Sequence, residues 1–184
     1  MPTISAKDLG IDTGKWSGDA AHSSVEFVVR HMMVSKVRGH FQKFEVEANV
    51  ADDVTKSTVS ATIYVDSITT RDEARDAHLK SADFFEADKH DTITFNSTSI
   101  RPDGDDWVLS GDLTIRGVTQ PVDLALEFNG TSPDPYGGVR SGFSAHGELS
   151  RSAFGLEWNA ALETGGVIVS DKVTIALEME LVKA

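Results

Sequence analysis

The chain has 184 residues, 40% of them hydrophobic, and a formal net charge of −12. This length and composition fit one globular domain with a substantial core, and the negative charge argues against nucleic acid or an anionic membrane surface as a partner. Cysteine is absent, which excludes a disulfide framework, a thiolate metal site and a cysteine nucleophile.

Targeting and membrane signals are also missing from the sequence. No run approaches 18 apolar residues, so no integral membrane segment is predicted. The opening stretch MPTISAKDLGIDTGKW has neither the basic nor the apolar region of a secretory signal, so we expect a cytoplasmic protein. No linker or repeat divides the chain, and we expect a single domain over residues 1–184.

Alternation of apolar and polar residues with a period of two is the main pattern and predicts strands. In PVDLALEF, for example, Val122, Leu124, Leu126 and Phe128 share one face. The same pattern predicts about eight strands, at residues 24–31, 37–50, 57–66, 92–101, 106–116, 119–129, 138–150 and 172–182.

Short turns between long strands favour an up-and-down barrel. PDGDD (102–106) and RGVTQP (116–121) are typical hairpin turns. Several strands reach ten residues, which is long for a sandwich. The fold class predicted is therefore all-β, an eight-stranded antiparallel barrel, and such a barrel has room for one small ligand.

Two segments depart from the alternation. RDEARDAHLKSADFF (71–85) predicts a helical cap over about residues 70–90, with Thr70 and Glu73 as a capping box. Its paired Phe84 and Phe85 either plug the end of the barrel or line the mouth of a cavity, and the sequence leaves both open. The second segment, residues 150–171, is predicted to be a long excursion.

Candidate catalytic and metal sites are weak. The six histidines form no H-x-x-x-H or H-x-H pair, so no metal is predicted, and no nucleophile elbow, zincin motif or phosphate loop is present. The acidic residues of the helical segment are best explained as solvated helix charges, although a carboxylate pair for acid–base work is the alternative; they are Asp72, Asp76, Asp83 and Glu86. We therefore predict no catalytic residue and no cofactor.

Four segments follow one another in a recognisable order: AHSSVEFVVRHMMVSKVRGHFQKF (21–44), SITTRDEARDAHLKSADFFEADKHDTITF (67–95), LSGDLTIRGVTQPVDL (109–124) and SAHGELSRSAFGL (144–156). Together they resemble the YceI-like family of polyisoprenoid-binding, lipocalin-like proteins, and the resemblance runs from about Trp16 to Val182. One departure is Asp91, where the family often has proline. Another is the lack of a signal peptide, which many members carry.

The resemblance implies a lipocalin-like barrel with a helical element at one end and a long apolar tunnel. Its ligand would be a long-chain lipid of the isoprenoid quinone, polyprenyl or fatty amide type, which the protein sequesters or carries without an established enzymatic activity. A homodimer is left open. Candidate headgroup contacts are Arg30, His31, Arg75 and Arg151. Candidate tunnel residues are Phe27, Val29, Phe41, Phe44, Val46, Ile63, Val65, Leu79, Phe84, Phe85, Phe95, Leu113, Ile115, Leu124, Phe143, Phe154 and Trp158.

Two alternatives to lipid carriage remain at this point. One is an enzyme that acts on an apolar substrate through the motif histidines His31 and His78. The other is a stress or interaction protein whose barrel is fully packed and holds no ligand.

Overall fold

The computed structural model describes residues 3–159 and 168–184. Helix α1 spans Ala6–Leu9 and helix α2 spans Glu73–Lys80. The strands are β1 (Gly14–Gly18), β2 (Ser24–His31), β3 (Ser35–Phe41), β4 (Phe44–Val50), β5 (Thr58–Tyr64), β6 (Ile68–Thr69), β7 (Thr92–Asp103), β8 (Asp106–Ile115), β9 (Val118–Pro133), β10 (Val139–Ser150) and β11 (Lys172–Lys183). Residues 160–167, in the predicted excursion, lie outside the described residues.

Eight of these strands close into an antiparallel barrel. Their order is β1, β4, β5, β7, β8, β9, β10 and β11, and β11 then pairs with β1. The predicted fold class is therefore confirmed, because closure leaves no free edge among the eight strands.

Strand β11 is shared between two neighbours. Its end, at Leu181, Val182 and Lys183, pairs with β1. Its first half, from Thr174 to Glu178, pairs with β2. Strands β2, β3 and β6 therefore form a ribbon that continues from the first half of β11, outside the closed ring of eight strands.

The structure departs from the predicted strands in three places, one of which is β6, a two-residue strand that was not predicted. Strand β1, GKWSG, was missed because it is short, has glycine at both ends, and shows no alternation. The segment 37–50 was predicted as one strand but forms β3 and β4, separated by Gln42 and Lys43. β3 belongs to the ribbon and β4 to the closed barrel, so this corner lets the chain pass from one to the other.

The barrel has two distinct ends, which we call the cap end and the far end. The cap end carries α2, the 3-10 turn Ser152–Phe154 and residues 168–170; the Arg116 guanidinium there donates to Phe84 O at 3.0 Å. The far end carries α1, whose Ala6 N–H donates to Asp52 O at 2.9 Å, and the loop 134–138.

Helix α2 is shorter than predicted, and its cap differs. The predicted capping box of Thr70 and Glu73 is wrong: Asp72 is the N-cap, and its carboxylate accepts from the Arg75 N–H at 3.0 Å. Thr70 instead donates its hydroxyl to the Asp76 carboxylate at 2.6 Å. The helix ends at Lys80. Ser81, the C-cap residue, has an extended backbone, and its hydroxyl donates to His78 O at 2.6 Å.

An arginine at the far end joins three carboxylates. The Arg140 guanidinium lies 2.6 Å from Asp19, 3.2 Å from Asp134 and 3.2 Å from Glu180. Its hydrogen bond to Asp19 is the main reason that the pKa of that carboxyl falls to about 2, with His22 adding to the effect. The network ties the loop before β2 to β10 and β11.

We expect Arg140→Met to make the fold more sensitive to acid. A carboxyl whose pKa is lowered on folding stabilises the protein above its unfolded pKa, and this stabilisation is lost as the pH falls towards the folded pKa. Without the guanidinium the pKa of Asp19 rises, so the acid-unfolding midpoint should move up by about half a pH unit. Circular dichroism against pH measures it.

The matched control is Arg101→Met, which removes a guanidinium that lies 3.6 Å from Asp123 in an exposed pair. We expect no shift of the midpoint there, because exposed pairs contribute little. An unchanged midpoint in the Arg140 variant would contradict the assigned role of the network.

Candidate functional site

The barrel encloses a cavity of about 520 Å³. Its wall is built from inward-facing residues of β2 and β3 and of most barrel strands, and it runs along β11 from Val173 to Leu181. Eight residues of strand correspond to roughly 26 Å, so the cavity is elongated along the barrel. This finding contradicts the alternative of a fully packed barrel.

The predicted tunnel residues mostly lie on this wall, although their contact with a ligand stays a prediction. The cavity is lined by Phe27, Val29, Phe41, Val46, Ile63, Leu79, Phe84, Phe85, Phe95, Leu113, Ile115, Leu124, Phe143, Phe154 and Trp158.

Two predicted tunnel residues are not part of the wall. Phe44 is the first residue of β4, and Val65 lies in a 3-10 turn that follows β5. They are 7% and 1% exposed, so both belong to the core. The alternating pattern correctly predicts that these two side chains point inward. At the ends of strands, however, inward side chains pack beneath connecting segments instead of lining the cavity.

Two glycines allow phenylalanine rings to lie flat against the wall. A Cβ at Gly39 would fall 2.3 Å from Phe27 Cζ, and one at Gly111 would fall 2.4 Å from Phe95 Cζ. No side chain fits at those distances, so glycine sets the position of both rings.

An aromatic cluster lies at the cap end of the cavity. The Trp158 ring lies 4.7 Å from the His78 ring and 5.4 Å from that of Phe84, while Phe85 stacks edge-on against Phe41 at 6.1 Å. Phe84 is 6% exposed and Phe85 is half-buried. Both line the cavity, so the two interpretations of this pair, plug and lining, describe the same arrangement.

A buried arginine lies beside these rings. Arg151 is 7% exposed, and its guanidinium donates to four backbone carbonyls: Leu156 at 2.6 Å, Ser170 at 2.8 Å, Trp158 at 2.9 Å and Val169 at 3.1 Å. Burial lowers the pKa of Arg151, and the charge of Asp171 opposes this. Arginine nevertheless stays protonated, so a positive charge borders the apolar cavity.

The other candidate headgroup contacts also lie at the cap end. Arg75 lines the cavity and donates to the Thr70 hydroxyl at 2.7 Å and to Thr70 O at 2.8 Å, which fixes its guanidinium. Arg30 is exposed, and His31 is half-buried; both are part of the wall. The structure therefore brings all four predicted residues to one end of the cavity.

The acidic residues of the helical segment each have a partner, which does not support a carboxylate pair. Asp72 caps α2 and Asp76 accepts from Thr70. Asp83 lies 2.8 Å from His78 Nε2, and Glu86 lies 3.8 Å from Arg116. Within residues 3–159 and 168–184, no group of three potential metal ligands occurs.

The sequence model of the family described as "YceI-like domain" matches residues 16–181 of this chain. The chain belongs to the YceI-like family. A relative within the curated proteins is a UPF0312 protein of Staphylococcus aureus (strain N315), 42% identical over 165 residues that cover 88% of this chain and 94% of the relative.

Solved structures show the same fold. Burkholderia cenocepacia BcnA has a TM-score of 0.77 at 25% identity, covering 91% of this chain and 99% of that one. The Campylobacter jejuni YCEI protein has a TM-score of 0.72 at 26% identity, covering 84% and 90%. A polyisoprenoid binding domain from Saccharophagus degradans has a TM-score of 0.69 at 17% identity, covering 92% and 98%, and this likeness shows the fold alone.

In this YceI-like barrel, the predictions did not name several wall residues towards the far end, although Phe143, which pairs with Phe128 and Met179, was named. The residues not named include Trp107, Leu126, Phe128, Leu177 and Met179. Most of these residues stand at inward positions of alternating strands, so the signal was present in the sequence.

No helix in the described part of the chain is long and apolar enough to cross a bilayer.

Proposed function

We propose that this YceI-like protein binds one long-chain apolar lipid inside the barrel and sequesters or carries it. The observation that carries this proposal is the cavity of about 520 Å³, whose wall is almost wholly aliphatic and aromatic. Such a wall offers little hydrogen bonding, so it selects a ligand by apolar area and shape.

The apolar wall favours a long aliphatic or prenyl chain. Each buried methylene contributes roughly 0.8 kcal/mol, so the gross apolar term grows with the length of chain that the cavity takes up. The loss of freedom on association and chain ordering is subtracted from it.

We place the polar end of the ligand at the cap end. Within the described residues, the guanidinium groups of Arg75 and Arg151 donate to backbone and hydroxyl oxygens rather than to carboxylates, although the charge of Asp171 also acts on Arg151. An isoprenoid or fatty amide ligand with a polar or anionic headgroup fits this end, while its chain extends towards Met179 and Leu181.

The test is loading of delipidated protein with farnesol, geranylgeraniol and a long polyprenol, followed by native mass spectrometry. We expect one bound molecule and the strongest retention for chains that match the cavity. Ligand at about 100 times its Kd should also stabilise the fold by about 2.7 kcal/mol. Absence of binding by every chain would overturn the proposal, and recovery of chemically altered ligand would favour an enzyme.

A further inference from the structure

We propose that the tip of the β2–β3 hairpin docks on an anionic phospholipid bilayer and holds the cap end of the cavity against the membrane. The tip is defined as Met32, Met33 and Val34. Docking is a property separate from the proposed lipid carriage. It depends on that proposed function only for its biological purpose, which would be the exchange of ligand with a membrane.

The tip is an exposed apolar cluster. Met32 is 45% exposed, Met33 55% and Val34 81%. In the described part of the chain, the other large hydrophobic residue so exposed is Tyr136, alone at the far end. Single exposed apolar side chains are common on proteins, whereas three consecutive ones at the end of a projecting hairpin form a contact surface.

The backbone of the tip disfavours these side chains. Met32 has φ of 52° and Met33 of 63°, in a turn closed by a hydrogen bond from Val34 N to His31 O of 3.1 Å. Such turns favour asparagine and glycine, since other residues are strained at positive φ. Methionine is therefore not explained by turn stability, and the described residues do not bury it; an apolar contact with a bilayer would explain it.

The hairpin is basic in an acidic protein. Strands β2 and β3 and the turn between them carry three basic residues and one acidic residue, Glu26, which lies towards the end of β2 away from the tip, whereas the whole chain has 29 acidic against 17 basic residues. The negative net charge of the whole chain argued against an anionic membrane partner, but the local charge of this hairpin is positive. In the strand register Arg30 lies opposite Lys36, and Arg38 opposite Val28, so the three basic residues share one face. None of the three forms an ion pair within the described residues.

The tip is joined directly to the cavity. Val29, Arg30, His31 and Val37, which flank it, all line the cavity. The Met32 N–H donates to Ile168 O at 2.7 Å, which ties the turn to the cap end. A bilayer that contacts the tip would therefore lie beside these wall residues, of which Arg30 is itself exposed.

The bilayer is favoured over a second copy of the chain as the occupant. Three side chains cannot bury the roughly 1,000 Å² that a stable protein interface needs. A bilayer requires no such area, because apolar side chains enter it individually and basic residues are attracted to its anionic surface.

The test is flotation of the full chain with vesicles of phosphatidylcholine, with or without about one quarter phosphatidylglycerol. We expect binding to the anionic vesicles that weakens as salt is added. The double variant Met32→Asn/Met33→Gly has a favoured turn sequence. It should lower the partition coefficient of the protein between vesicles and buffer by about tenfold or more. Lys36→Gln/Arg38→Gln should lower it roughly 30-fold on anionic vesicles only.

Matched controls lie at the far end. Tyr136→Ser removes an exposed apolar side chain, and Lys7→Gln/Lys56→Gln removes two exposed charges; both should float like the unaltered protein. Failure of the protein to float with anionic vesicles, or flotation of the tip variants at the unaltered level, would overturn the proposal. A dimer that dissociates in the tip variants without a change in flotation would do the same.

Native mass spectrometry of geranylgeraniol-loaded variants separates docking from carriage. The tip variants should retain the bound chain, because neither Met32 nor Met33 lines the cavity. Retention with lost flotation supports docking. Flotation of a protein that binds no chain would leave docking intact while removing the proposed function.

Discussion

Replacing Phe27 by aspartate is expected to abolish retention of an apolar ligand. The Phe27 ring lines the cavity, packs 5.8 Å from the Phe41 ring, and covers Gly39. A carboxylate there would be desolvated by any apolar chain that enters, at a cost of several kcal/mol. We expect a loss of affinity of at least about a thousandfold, measured by native mass spectrometry of protein loaded with geranylgeraniol.

Phe27→Leu is the matched control, because it keeps an apolar side chain on the same wall. It should retain ligand within about tenfold of the unaltered protein. Circular dichroism and thermal unfolding establish that the aspartate variant is folded. A folded Phe27→Asp protein that still carried one lipid would show that this face of β2 is not in contact with the ligand.

Replacing Arg151 by methionine is expected to cause a large loss of stability. The side chain fills a buried position and satisfies the carbonyls of Leu156, Trp158, Val169 and Ser170, which join the end of β10 to the segment that leads into β11. Methionine preserves apolar packing but leaves the carbonyls of Leu156, Trp158 and Ser170 without this donor, while Val169 O still accepts from the Asn159 side-chain amide at 2.6 Å. Since each unsatisfied buried group costs about 1–3 kcal/mol and several are partly solvated, we expect a loss of about 3 kcal/mol.

Urea unfolding measures this loss, and Arg151→Lys is the control. Lysine keeps the charge, but its compact ammonium cannot reach four carbonyls in the geometry of a guanidinium, so an intermediate stability is expected. A methionine variant within about 0.5 kcal/mol of the unaltered protein would mean that water replaces the guanidinium and that the segment does not depend on it.

The long strands could be predicted because each has one face towards the core and one towards solvent. β4 shows this best, since its residues alternate strictly between buried and exposed. The division of 37–50 into two strands also had a signal. Val37 and Phe41 occupy odd positions, whereas Phe44, Val46 and Val50 occupy even ones. A change of parity reverses the faces of a strand, so a continuous strand could not have buried both sets.

The closure of the barrel and the cap-end contacts could not be predicted in the same way. β1 closes the ring through pairing with β4 and β11, and that long-range pairing leaves no periodicity in a five-residue segment. The environment of Arg151 depends on where the chain after β10 returns, which no local pattern encodes. Arg30, His31, Arg75 and Arg151 were predicted as headgroup contacts at the mouth of the tunnel, and their common place at the cap end depends on how β2, α2 and the segment after β10 come together.

The central claim is that the barrel carries one long-chain apolar lipid. Organic extraction of the purified protein followed by mass spectrometry, with native mass spectrometry of the intact chain alongside, tests it most directly. We predict one equivalent of a prenyl or fatty-chain lipid per protein, which would also name the ligand. A protein that yields no lipid and whose mass is unchanged after incubation with prenyl quinones and fatty amides would contradict the account.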